Sequence, residues 1–196
     1  PGSAEVLRGL AMLCGLLGRH DEAVEHARRA VELDPLSAMT HRAYGQRCAA
    51  ADRLDEAVAA FNAALDLDPR SGLANGHLAL ARLRQGRPDE ALAAAEREVL
   101  PFTRLLAITL AHHALGHTGD SDAALRALIE GYGDTAAYQI AESHAFRGEI
   151  DVAFEWLERA YTQRDPGLGS AAAAYLLRPL HGDPRWPPFV GKMGLA

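Results

Sequence analysis

The chain is poor in the residues from which specialised chemistry is usually built. Cysteine occurs only as Cys14 and Cys48, too few for a disulfide framework or a cysteine metal motif, so a reducing, cytoplasmic compartment is expected. Aromatic residues make up 6% of the 196, and β-branched residues are also sparse, which argues against a sandwich or barrel. Only one residue, Lys192, is lysine, and 20 basic residues face 26 acidic ones for a net charge of -6. That balance excludes the broad cationic surface needed to bind a phosphate backbone, so no nucleic-acid partner is expected. The longest stretch free of Asp, Glu, Lys and Arg is the 15 residues from Leu105 to Gly119, short of the ~20 that span a bilayer, so no membrane segment is expected. Pro1-Gly2-Ser3 supplies neither an initiator Met nor a charged-then-apolar leader. Residues 1–3 read as a cloning remnant, and the chain as a fragment of a longer protein.

The signatures of enzymes are missing too. The sequence contains no GxxxxGK[ST], no HExxH and no GxSxG, so neither a phosphate cradle, a zinc protease helix nor a nucleophile elbow is present. Gly167-Leu-Gly-Ser-Ala-Ala172 has the glycines of a dinucleotide turn without a strand before it, and reads as a loop that starts a helix. No enzyme activity and no cofactor is expected.

What the chain has in excess is alanine, 39 residues, together with Leu, Arg and Glu, all strong helix formers. It also has a repeat. Gly18-Arg-His-Asp-Glu-Ala23, Asp52-Arg-Leu-Asp-Glu-Ala57 and Gly86-Arg-Pro-Asp-Glu-Ala91 follow one another at 34-residue intervals, and the same spacing carries Asp34-Pro35 onto Asp68-Pro69 and Cys14 onto Cys48. Each unit reads as helix, turn, helix. The Asp-Glu pair suits the positive end of the second helix's dipole, and Asp-Pro ends that helix. Ala23, Ala27 and Ala30 form a small-residue face on which a neighbouring helix packs closely. Cys14 and Cys48 hold equivalent places in adjacent first helices and are expected to be buried packing.

These residues resemble the tetratricopeptide repeat family. The resemblance rests on Leu7, Leu10, Ala11, Ala23, Ala27, Ala30 and Pro35 in the first unit, and on Tyr44, Gly45, Ala57, Phe61, Ala64 and Pro69 in the second. The third unit keeps Leu78, Ala79, Ala91 and Ala95, with Pro101 two residues early and an altered turn. Gly119-Asp-Ser-Asp-Ala-Ala124 and Gly148-Glu-Ile-Asp-Val-Ala153 echo the turn after intervals of 33 and 29. The resemblance implies an all-α, right-handed superhelical solenoid of about five helix-turn-helix repeats over residues 4–166, divided at about 4–37, 38–71, 72–104, 105–133 and 134–166. Val152, Trp156, Leu157 and Ala160 are expected on the inner face of the last helix, with Trp156 and Tyr161 in packing roles.

Residues 167–196 read as a C-terminal helical cap, with a helix over Ala171–Leu177 and a lid of Trp186, Phe189, Met193 and Leu195, because a solenoid's last repeat must be covered. This tail, with Asp183-Pro-Arg-Trp and Lys192-Met-Gly-Leu195, resembles the ends of repeat regions at the C-termini of multidomain bacterial signalling and transcription-regulatory proteins.

The family resemblance implies a protein-protein interaction scaffold whose first helices line a concave groove holding a peptide or protein segment. The lining it implies is Glu5, Arg8 and Met12; Met39, Arg42 and Gln46; Leu73, Leu80 and Arg84; Thr109, His113 and His117; and Tyr138, Glu142 and Phe146. Arg8, Arg42 and Arg84 make the first half basic, while Tyr138 and Phe146 offer aromatic anchors, which suits an acidic partner with an apolar group at its other end. The lining lacks the Lys and Asn of the chaperone-tail clamp, since Ala43 and Leu73 stand in those places. It also lacks the asparagine ladder of sugar-transferase repeats, where Gly9, Ala43, His77, Leu110 and Gln139 stand instead. A second reading makes the cluster of His112, His113 and His117, with His113 and His117 four residues apart and His144 and Glu142 joining them, a metal or small-ligand site.

Overall fold

The computed structural model describes residues 3–194; two of the three residues of the expected cloning remnant, and Leu195 of the expected lid, lie outside them. Every regular element among the described residues is helical: α1 (Ala4–Leu16), α2 (His20–Leu33), α3 (Ala38–Ala50), α4 (Leu54–Leu67), α5 (Ala74–Arg84), α6 (Pro88–Arg97), α7 (Pro101–Ala114), α8 (Thr118–Tyr132), α9 (Ala137–Phe146), α10 (Ile150–Gln163) and α11 (Trp186–Lys192), with two 3₁₀ segments at Pro166–Ala173 and Tyr175–Leu180. The chain divides after Ala107 into two compact units.

Local chemistry sets the helix ends. Ser3 and Ser37 cap α1 and α3, their hydroxyls accepting from the amides of Val6 (3.2 Å) and Thr40 (3.3 Å). Acidic pairs open α2, α4 and α6, and Pro88 occupies the first turn of α6, where its missing N–H costs nothing. Between the helices of each pair the chain turns through one left-handed residue: Gly18, Asp52, Gly86, Gly116 and Gly148 have φ of 73°, 62°, 72°, 76° and 77°. Glycine takes that conformation freely, and Asp tolerates it better than most residues. The amide after each of these residues closes the same loop: Arg19 to the Cys14 carbonyl, Arg53 to Cys48, Arg87 to Arg82, His117 to His112 and Glu149 to His144, every one at 2.9 Å. This six-residue closure is the Schellman bond of a helix terminus.

In the first unit, α1 packs on α2, α3 on α4 and α5 on α6, with α2 on α3 and α4 on α5 between pairs. The alanine faces expected from the sequence are buried, including Ala23, Ala27, Ala57, Ala64, Ala91 and Ala95, and so are Cys14 and Cys48. Gly45 is small for a visible reason: a Cβ there would lie 2.7 Å from the ring of Phe61. Leu10 departs from the expectation and is 40% exposed. It shares the outward side of α1 with Val6, Leu13 and Leu17, at helical spacings of three and four residues.

In the second unit, α9 packs on α10, and the 3₁₀ segments and α11 close over them. Tyr138, Phe154, Leu157, Leu177, Trp186 and Phe189 form the centre of that core. Of the expected lid, Trp186 and Phe189 are buried and Met193 packs at the edge. Its form differs from the single helix expected over Ala171–Leu177. Ala174 is extended (φ -68°, ψ 121°) and Pro179 follows, so the backbone makes two 3₁₀ segments instead.

Four other expectations need correcting. The fourth turn lies at Gly116, not Gly119, which is inside the first turn of α8, and Pro101 begins α7 instead of ending the third repeat. Val152 faces outward at 36% exposure, and Ala153 and Phe154 take the inner face of α10 with Leu157 and Ala160. Tyr161 is 43% exposed, its ring covered by the Lys192 ammonium at 4.6 Å.

Candidate functional site

In the first unit the facing sides of α1 and α3 bound a cleft of about 340 Å³, lined by Glu5, Arg8, Gly9, Ala11 and Met12 from α1 and by Met39, Arg42, Ala43, Gln46 and Arg47 from α3. The five α3 residues are spaced by three, one, three and one, a single helical stripe. Most of this lining is the set expected from the first two repeats. Gly9, Ala11, Ala43 and Arg47 are additions; Arg47 is the charged one among them, and its place beside Gln46 on the α3 stripe is the signal that marks it.

The electrostatics of the cleft are unusual for so acidic a chain. Arg8, Arg42 and Arg47 have no ion-pair partner among the described residues, while Glu5 is the one acid in the lining. The Nε of Arg8 is buried without a hydrogen-bond partner. Burial first, then the neighbouring charge of Arg8, lowers the pKa of Arg42, with Glu98 acting the other way. Burial alone lowers that of Arg47, whose guanidinium fills the space beside Gly15. Two half-buried guanidinium groups carrying a desolvation cost favour an incoming anion. Met12 and Met39 give the cleft an apolar margin, at 58% and 51% exposure.

Behind the cleft, Gln46 Nε2 meets His77 Nε2 at 3.1 Å, and the His77 ring stacks on Phe61 at 5.7 Å. Burial, then the charge of Arg42, holds His77 down at about 4, so it is neutral at physiological pH. Arg84 does not join the lining as expected. Its guanidinium donates to the Ala49 carbonyl (2.6 Å) and to Asp52 (2.8 Å), tying α5 to the end of α3. Leu73 also leaves the set, because it precedes α5 in a left-handed conformation (φ 71°) and its amide donates to the Glu98 carboxylate at 3.2 Å.

Glu98 is a structural residue that composition and motif scanning overlook. It is buried, and its two oxygens accept from the amides of Leu73, Gly76 (2.8 Å) and Leu100 (3.0 Å), satisfying donors at the start of α5. Asp165 does the same for α9, accepting from Tyr138 (3.2 Å) and Gly167 (2.9 Å). The signal for both was an acid just after a repeat's second helix.

The second unit gathers the remaining predicted residues differently from expectation. Tyr138 is not a groove anchor: it is buried at 3% exposure beneath the first 3₁₀ segment, whose Gly167 is small because a Cβ would overlap the tyrosine ring. Glu142 is half-buried beside it, and burial pushes its carboxyl up to about 8, with Asp165 adding to the rise and the Tyr138 hydroxyl opposing it. His113 meets Phe146 edge-on at 5.8 Å, and burial, then Arg147, lowers its pKa. The pairing of His113 with His117 is therefore replaced: α7 ends at Ala114, and the turn brings His112, not His113, against His117. His144 is bound to Glu149, away from that pair, and Arg147 bridges Ser121, Asp122 and Glu149 at 9% side-chain exposure.

The cysteines add no chemistry to either unit. Both are free and buried, and burial pushes the Cys48 thiol up to about 11. Among the described residues no helix is long and apolar enough to cross a membrane.

Comparison with known proteins gives the same architecture. Residues 4–37 and 45–104 match family models for the tetratricopeptide repeat. Among solved structures, the chain is similar to PilW, a widely conserved type IV pilus biogenesis factor, at 16% identity over 98% of this chain and 94% of that one (TM-score 0.63). It is similar to PilF of Pseudomonas aeruginosa at 16% identity over 96% and 97% (TM-score 0.62). YrrB, described as a TPR protein with an unusual peptide-binding site, matches at 18% identity over 83% and 87% (TM-score 0.54). At these identities the likeness is one of fold. No curated protein sequence matches the chain, and none of these findings supports the likeness of the tail to bacterial signalling and regulatory proteins. With its repeated turn and its alanine-packed helix pairs, the chain carries tetratricopeptide repeats over residues 4–37 and 45–104, in a helical fold shared with these structures.

Proposed function

We propose that this chain is a non-catalytic cytoplasmic scaffold whose α1/α3 cleft holds an acidic segment of a partner protein, a carboxylate lying against Arg8, Arg42 and Arg47 and an adjacent apolar side chain against Met12 and Met39. The observation that carries this reading is the set of three partly buried guanidinium groups without ion-pair partners in a chain of net charge -6. Such groups are costly to hold together, and a carboxylate relieves both the desolvation and the mutual repulsion. The peptide-binding site reported for YrrB lends the reading general support, since that protein has the same fold.

The test is fluorescence anisotropy with labelled peptides that pair Asp or Glu with a neighbouring Leu or Phe, set against the same peptides with Lys in place of the acid. The acidic set should bind, more weakly as salt rises, and the basic set should not. Arg42→Ala should cost about 2 kcal/mol, roughly a thirtyfold loss, and Arg42→Glu should abolish binding. Equal binding of both peptide sets, or unchanged affinity in a folded Arg42→Glu protein, would remove the proposal.

A further inference from the structure

We infer that the turn between α7 and α8 is a zinc site, with His112 and His117 supplying imidazole nitrogens and Asp120 a carboxylate oxygen. One ligand atom from each of the three lies within 4.8 Å of the others. The two Nδ1 atoms are 3.4 Å apart, with ring centroids at 5.6 Å. A tetrahedral zinc ion with Zn–N bonds of ~2.05 Å holds its ligand atoms ~3.35 Å apart, so the imidazole pair already has the separation the ion needs. Hard octahedral ions such as magnesium prefer oxygen donors, so a set with two imidazoles disfavours them. Asp120 is exposed, and swinging its carboxylate inward by about 1.5 Å completes a three-ligand face, leaving the fourth position of a tetrahedral ion to water.

The placement comes from the backbone. His117 is the residue after left-handed Gly116, and its amide is bonded to the His112 carbonyl at 2.9 Å. That closure fixes residues five apart side by side. Asp120 follows three residues later, one turn into α8. The same three positions meet at the third turn, and pairs of them meet at the first and fifth. At the third turn Arg82 and Arg87 both reach Glu90, at 3.1 and 3.2 Å. At the first, Arg19 pairs with Glu22 at 2.7 Å, and at the fifth His144 is bound to Glu149. Proximity among these positions is thus a recurring property of the turn. In the fourth repeat its two cation-bearing places hold imidazoles, which can donate lone pairs to a metal as arginine cannot. All three residues are at least partly open to solvent, so the site is reachable without rearrangement of the core.

The test is titration of the untagged full chain with Zn²⁺ against a chromogenic competitor, together with the visible spectrum of the Co²⁺ form. One equivalent of zinc should bind, and cobalt should give the intense bands of a tetrahedral centre. His112→Ala and His117→Ala should each weaken binding at least about tenfold and abolish the cobalt bands, and Asp120→Asn, which leaves both imidazoles in place, should weaken it less. His41→Ala, in the other unit, should change nothing. Circular dichroism of each variant separates loss of the site from loss of the fold. Absence of a one-to-one zinc complex, or binding that survives folded His112→Ala and His117→Ala proteins, would overturn the assignment.

Discussion

Replacing Glu98 by alanine tests how the third repeat is held. Its carboxylate is 1% exposed and accepts three backbone N–H groups, from Leu73, Gly76 and Leu100. The Gly76 bond is buried, and stranding that donor costs ~1–3 kcal/mol, while the other two amides are partly buried, recover some hydration and cost ~0.5–1.5 kcal/mol each. Leu73 is also held in a left-handed conformation, a strain of ~1–2 kcal/mol that the variant releases once the tether is gone. That release, with the relief of no longer burying a carboxylate, offsets part of the loss. The sum is about 2 kcal/mol of destabilisation, or a fall in melting temperature of ~4–8 °C for a chain of this length. Glu98→Gln keeps one acceptor oxygen but points its amide hydrogens toward a donor, so it should lose about half as much. Urea denaturation followed by far-UV circular dichroism gives the energies. Amide hydrogen exchange localises them, with Leu73, Gly76 and Leu100 losing protection first. If Glu98→Ala unfolds within ~1 kcal/mol of the parent, or these amides keep their protection, the carboxylate is not what fastens α5 to the end of α6.

Two further outcomes follow from the second unit. Gly167→Ala places a methyl group into the rigid ring of Tyr138, so it should cost ~1–3 kcal/mol and reduce the near-ultraviolet dichroism of the aromatic core, while far-UV helix content changes little. Glu142 ionises at about 8 in the fold and near the usual carboxylate value of ~4.3 when unfolded, so between those pH values the folded state holds the extra proton and stability declines as pH rises. Denaturation midpoints measured from pH 4.5 to 8 should show that decline, and Glu142→Gln should flatten it; an unchanged slope would show the carboxyl to be hydrated in the fold.

Much of this was legible in the chain because a repeat averages over its own noise. The Gly-Arg-x-Asp-Glu-Ala turn, recurring at 34 residues, announced α1 to α6 with their alanine faces, and the same turns are where the left-handed residues sit. Legibility failed where the repeat shortened. Gly116 and Gly119 both offered a turn glycine, and only the backbone closure from His117 to His112 decides between them. That slip of three residues is also why His113 was paired with His117 in place of His112. The tail failed for another reason. Ala171–Leu177 has the composition of a helix, but it must lie over Tyr138 and Leu157, and that tertiary demand yields 3₁₀ segments around extended Ala174. Composition also gave no view of pairing. Arg42 and Arg84 look equivalent in sequence, yet Arg84 is consumed by Ala49 and Asp52, and Arg42 is left in the cleft beside Arg8.

The five turns suggest how such a scaffold acquires separate sites. The closure at 2.9 Å is made by backbone atoms alone, so it survives whichever side chains stand at its two ends: Cys14 and Arg19, Cys48 and Arg53, Arg82 and Arg87, His112 and His117, His144 and Glu149. Of these pairs, the buried cysteines serve packing, the arginines reach acids of the next helix turn, and His144 is hydrogen-bonded to Glu149. A substitution at such a position changes the chemistry of one turn without disturbing the bond that shapes it. The α1/α3 cleft obeys the same rule from the other side of the helix pair, since Arg42 and Arg47 share a stripe that the packing face of α3, with Gly45 and Cys48, does not use. The cleft proposed to bind an anion and the turn proposed to bind zinc therefore make no competing demands on the backbone that shapes each. Zinc should bind equally well to the Arg42→Glu protein, and the acidic peptide equally well to His117→Ala.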